Sequence, residues 1–148
     1  MSSLFPGVSV EFDPPRSSKP ALAFLKDYWD KKRGGRAMPS RADIIPSEMK
    51  QHIRTIVLVD VLPDFADFRY RMIGSDVTEH MLGDATGKTL RAAFARYGQA
   101  AVDGAILGYA HVARKKIVMR LHGSAEWLHQ SHLDFDSLHL PLSDDGET

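Results

Sequence analysis

The chemistry most open to this chain is that of histidine. Seven His and no Cys occur among 148 residues. Disulfides, thiolate metal sites and thiol nucleophiles are therefore excluded, and a metal would need imidazole and carboxylate ligands. His122, His129 and His132, with Asp134 or Asp136 nearby, could offer nitrogen and oxygen donors to zinc or iron. However, His129 and His132 fall near a predicted turn, and there is no H-E-x-x-H helix to present two ligands together with a base. A haem would need one axial histidine, with His80 and His111 on predicted helices as the options. Surface or hydrogen-bonded histidine is the simpler expectation, so no metal ligand is assigned and the cofactor stays unknown.

Catalytic patterns are scarcer still. No G-x-S-x-G, P-loop or dinucleotide fingerprint occurs, and the turn from Gly83 to Gly87 lacks phosphate-binding spacing. Ser, His and Asp are abundant, but no spacing singles out a nucleophile and its base. The chain is not expected to be an enzyme.

Charge narrows the partners. Lys plus Arg and Asp plus Glu are both 19, giving a formal net charge of zero, which disfavours a general nucleic-acid coat. The basic excess lies between Arg16 and Arg54 and the acidic one beyond Leu133, an asymmetry suited to charge-steered association. The basic stretch has no recognisable base-reading helix, so nucleic acid is not an expected partner. The most apolar run, Ile56 to Leu62, already holds Asp60 and is too short to span a membrane. MSSLFPGVSVEF has no basic leader followed by an apolar run. A cytoplasmic protein is expected.

These residues must be positioned by the following elements. Residues 1–19, with Pro6, Pro14 and Pro15, show no sustained period and read as a flexible arm. From Pro20, the residues Ala21, Phe24, Leu25, Tyr28 and Trp29 recur at helical spacing, and Gly34-Gly35 ends the run, giving an amphipathic flanking helix over 20–35. Pro46-Ser47-Glu48 opens a short helix. Thr55 to Leu62 and Phe68 to Ile73 read as a β-hairpin, with Phe68, Tyr70 and Met72 on one face. Asp76 with Glu79 has capping-box spacing for a short helix. A helical turn is expected at Leu90–Phe94 and a longer helix from about Tyr97 to Lys116. Strands follow around Ile117–His122 and His132–Leu142, the second with a parity slip that a bulge near Asp136-Ser137 would repair. Asp144-Asp145-Gly146 is hairpin chemistry with no returning strand.

The segments YWDKKRGGRAMPSRADIIPSEM, FRYRMIGSDVTEHMLGDATGKTL and LPLSDDG resemble signature blocks of a bacterial family of small, mostly single-domain PAS proteins. The resemblance implies an α+β fold over 36–148: a five-stranded antiparallel sheet with helices on one face, truncated before its last strand. It also implies a sensory or regulatory role in signal transduction. The ligand would be a small molecule between sheet and helices, where Tyr70, Met72, Met81, Ile106, Tyr109, Met119 and Trp127 are candidate lining residues. Phe24, Leu25, Tyr28 and Trp29 would form the helix face that pairs two copies into a homodimer. In the alternative, a ligand-free adaptor, the same face docks a signalling kinase or regulator. Arg36, Pro39 and Arg41 are anion or partner contacts, or else Arg41 pairs with Asp43 to fix the loop.

Overall fold

The computed structural model describes residues 8–79, 83–125 and 130–143; for 125 and 130–134 only the backbone is described. Strand β1 (Val8–Phe12) is followed by helix α1 (Pro20–Arg33) and a 3₁₀ segment at Pro46–Thr55 that kinks at Met49. Next come β2 (Val57–Val61), β3 (Phe68–Ile73), the single turn α2 (Ser75–Val77) and the short helix α3 (Leu90–Phe94). Helix α4 (Gln99–Lys115) then leads to β4 (Met119–Ala125) and β5 (Gln130–His139). Among the described residues no helix is long and apolar enough to cross a membrane.

The architecture is α+β, with all strand pairs antiparallel. β4 lies between β1 and β5, while β2 and β3 form the expected hairpin. Five strands occur among the described residues, and the one added to the four expected stands first in the chain. It comes from the segment read as a flexible arm, which is corrected over residues 8–12: Val8, Val10 and Phe12 alternate with Ser9 and Glu11, and β1 pairs with β4 along its length. Among the described residues, β2 and β5 each pair on one side only. The LPLSDDG turn reaches beyond them at Asp144.

Apolar clusters lie on both sides of these strands. The larger joins Phe68 and Tyr70 of β3 and Met119 and Leu121 of β4 to α3 and α4. The second and third gather Ile44, Met49, Ile56 and Leu58, then Trp29, Met38 and Val118, under the apolar stripe of α1. Two sequence expectations change for this reason. The slip in β5 needs no bulge at Asp136-Ser137: the only irregularity in that pairing lies between Ser124 and Ala125. Instead Phe135 packs against the main core and Leu138, Leu140 and Leu142 against the Trp29–Met38 cluster, because both faces are partly covered. In the hairpin, Leu58 pairs with Met72 but Val59 with Tyr70, so Arg71 is an extra residue on β3. This bulge sends Ile73 to the main core and Met72 to the α1 side.

Local chemistry explains the helices. Pro20 occupies the first turn of α1, Lys31, Lys32 and Arg33 sit at its carboxyl end, and Gly34 closes it at φ 59°. Tyr28 clips α1 to the next segment, donating to Glu48 Oε1 at 2.8 Å and accepting from the Ile45 amide at 2.9 Å. Asp76 is not the predicted N-cap: α2 starts from Gly74, and the Asp76 carboxylate accepts from Arg54 Nε at 3.1 Å. Gly74 allows close approach, since a Cβ there would lie 2.2 Å from the Arg54 carbonyl oxygen.

Candidate functional site

Between β3, α4 and β5, polar groups converge inside an otherwise apolar layer. Phe68 and Tyr70 alternate inward on β3. Tyr109 comes from the face of α4 that carries Val102, Ala105 and Ile106, and its ring meets Phe68 edge-on at 5.5 Å. The Tyr70 and Tyr109 hydroxyls share a hydrogen bond. From β5, where successive side chains alternate, Ser137 and His139 share one face. Ser137 Oγ lies 3.0 Å from His139 Nε2, and the His139 ring stands edge-on to Tyr109 at 5.3 Å.

Burial sets the electrostatics. Tyr70 is 1% exposed, and its hydroxyl is pushed far up by desolvation and then by Tyr109. Tyr109 is raised by the same cause. The His139 imidazole is crowded by protein on most sides, although part of its surface remains reachable, and burial holds it down to about 4. It is therefore neutral at physiological pH and pairs one ring nitrogen with Ser137.

This gives a pH prediction. The folded value, about 4, lies below the ordinary 6.5. Between them the unfolded chain takes up a proton that the folded chain refuses, so stability falls as pH drops through this window. The expected loss is about 2 kcal/mol, less than the full shift because the ring is part-exposed. Denaturant melts from pH 7 to pH 4 should show this slope, and His139→Phe should remove most of it. An unchanged slope would place His139 in a water-like setting.

The structure brings together four of the sequence-derived lining residues, Tyr70, Tyr109, Ile106 and Met119. Met72 is excluded by the Arg71 bulge and packs with Leu58 instead. Met81 and Trp127 lie outside the described residues. Ser137 and His139 do not stand out in the sequence; their signal is only the shared parity of two polar residues in an apolar strand.

The histidine alternatives disperse. His122 Nε2 lies 3.4 Å from Glu11, and Asp136 is taken by Arg120 and Lys19. The His111 ring lies tilted against Phe12 at 4.7 Å. His80 and His129 lie outside the described residues, as do the side chains of His132 and Asp134. Among the described residues no three potential ligands gather.

The aromatic stripe of α1 is also committed. Trp29 is 8% exposed and donates from Nε1 to the Pro141 carbonyl at 2.8 Å, while Phe24, Leu25 and Tyr28 pack over Ile44, Ile56 and Met72. The helix folds back on its own sheet, so this face is covered within the chain. In the loop, Asp43 pairs with Arg36 at 2.6 Å rather than with Arg41. Asp43 also accepts from the Ser40 amide and hydroxyl, and these bonds, the amide first, hold its carboxyl down to about 2. Arg41 donates to the Ile44 carbonyl, and buried Pro39 accepts from the Ser143 amide. The loop motif is bonded within the fold.

A family model described as a PAS domain matches residues 17–148. No curated protein and no solved structure matches the chain.

Proposed function

The chain belongs to the PAS domain family, and on that premise we propose that it is a sensory domain whose small-molecule site is the Tyr70–Tyr109–Ser137–His139 cluster. A sensory or regulatory role is the general expectation for the family. The single observation that carries the finer reading is the convergence of four hydrogen-bonding side chains, from three elements, between sheet and helix. Ligand sites combine such a few aimed polar groups with apolar walls, here Phe68, Ile106, Phe135 and Met119. A neutral imidazole and two un-ionised phenols favour an uncharged, hydrogen-bonding ligand.

Ser137 and His139 are assigned to binding rather than catalysis. A base held down to about 4 has little drive to take a serine proton at neutral pH. The alternative of a ligand-free adaptor would have to use surfaces besides the aromatic stripe, which packs within the chain. Signalling in a bacterial cytoplasm and dimerisation are part of the proposal on family grounds alone.

The test is native mass spectrometry of the gently purified protein beside its denatured spectrum. A retained small molecule, lost in Tyr109→Phe or Ser137→Ala while those variants stay folded, is the expected result. A bare chain mass, together with no thermal shift across a library of neutral aromatic compounds, would overturn the sensor reading.

A further inference from the structure

Strand β1 is fastened to the sheet by contacts that do not require it to come from the same chain. It lies ahead of the span matched by the family, and its backbone ladder is with β4, from Val8 opposite Gly123 to Phe12 opposite Met119. On one face Val8 is buried, and Val10 and Phe12 pack against the main core. On the other, Glu11 meets Arg120 at 2.9 Å and His122 at 3.4 Å. The β1 of a second copy would make the same bonds, the same packing and the same ion pair. With no strand in place, β4 would present unpaired backbone groups along its edge and an uncovered apolar strip beside it.

The connection to α1 bears on which copy supplies the strand. Residues 13–19 read DPPRSSK, and Asp13 turns the chain at φ 46° directly before Pro14. A proline presses its predecessor toward extended backbone, and two in succession favour an extended run of their own. The strand end imposes this turn so that the chain can return to α1, and the local residue types oppose it. Arg16 pairs with Asp27 of α1 at 2.9 Å, which ties down the far end of the connection and leaves residues 13–15 as the hinge. A short hinge under strain invites exchange, because straightening it releases the strain while every contact of the strand is kept.

We propose that two copies of this chain exchange β1, each strand pairing with the β4 of the other copy in the register described above, with residues 13–15 extended as the hinge. The occupant of the β4 edge is a second copy because the fit of β1 to β4 is already complete in shape, register and charge. The inference is independent of the small-molecule site, and loss of that ligand would leave it untouched.

The chain has no Cys, so Ser9→Cys combined with His122→Cys reports which copy supplies the strand. These residues lie opposite one another in the ladder, at a spacing that a disulfide spans. Full-length double variant refolded and oxidised at about 0.5 mM should run as a disulfide-linked dimer on a non-reducing denaturing gel, and at about 1 µM as a monomer closed on itself. Light scattering of the cysteine-free chain refolded at the higher concentration should give twice the chain mass. Asp13→Gly accepts the left-handed turn and loses entropy in an extended hinge, so it should cut the dimer fraction about fivefold. A dimer that keeps its disulfides within each chain, disulfides confined to monomers at both concentrations, or a dimer fraction unchanged by Asp13→Gly would overturn the proposal. So would light scattering that gives the single-chain mass throughout.

Discussion

Trp29→Ala is expected to lower stability by about 4 kcal/mol. The indole is 8% exposed, packs with Met38 and Val118, and donates to the Pro141 carbonyl across 112 residues of sequence. Truncation removes the buried area, leaves a cavity between α1 and the strands, and orphans a buried carbonyl that itself costs about 1–3 kcal/mol. Trp29→Phe keeps most of the area and loses the bond, so it should cost about half as much. The readout that matters is the dependence on protein concentration. If Trp29 packs on its own sheet, the denaturant midpoint of both variants shifts equally at low and high protein concentration. If the stripe instead joined two copies, the loss would shrink as concentration rises. A concentration-dependent loss would instead support the homodimer role expected for this face.

The same residue shows where sequence reading succeeds and where it stops. Helix α1 is legible because Phe24, Leu25, Tyr28 and Trp29 recur at helical spacing between Pro20 and Gly34. What the stripe covers is not legible, since periodicity identifies an apolar face without naming its partner. Strand β1 shows the opposite failure. VSVEF alternates cleanly, but five residues beside Pro6, Pro14 and Pro15 carry too little signal to outweigh the breakers.

Met72 and Leu138 depart from expectation for a common reason: neither strand keeps one buried face. Arg71 is of the same type as Arg69, so nothing in the local residue types marks it as the bulge that turns Met72 away from Tyr70. In β5 the parity slip is real, yet its cause is a second apolar layer under α1 and not a bulge. Within the candidate site, Tyr70 and Tyr109 are readable as inward aromatic residues with polar ends. His139 is not, because its role depends on Ser137 two residues away and Tyr109 thirty residues away, and only the folded chain brings the two together.

Arg120→Ala is the second large effect expected, about 3 kcal/mol. On the face of β4 opposite Met119 and Leu121, Arg120 donates to both Asp136 oxygens, at 2.9 and 2.8 Å, and to Glu11 at 2.9 Å. The Asp136 side chain is 4% exposed, and its only other cation among the described residues is Lys19 at 3.2 Å, itself 60% exposed. The pair is therefore of the kind in which removing one partner strands a buried charge, at a cost of about 3–5 kcal/mol, reduced in this case because Arg120 is one-quarter exposed. Arg120→Lys cannot replace the two-pronged contact and should lose about half as much. Adding Asp136→Asn to Arg120→Ala should recover stability, because the stranded charge is then gone. A double-mutant cycle by denaturant unfolding should give a coupling of about 2 kcal/mol. The acid side has a defined sign: Arg120, ahead of Lys19, holds the Asp136 carboxyl below its ordinary 3.8, so this contribution is complete above that value and fades as pH falls beneath it. Because Glu11 reaches Arg120 from β1 and Lys19 precedes α1, the same substitution should speed hydrogen exchange at Val8–Phe12 more than in β2 and β3. A cost under about 1 kcal/mol with unchanged exchange would reduce the network to an ordinary surface ion pair. The expected pattern instead makes Arg120 the charge that fastens the amino-terminal strand, beyond the family's own span, to the β4–β5 hairpin that carries Ser137 and His139.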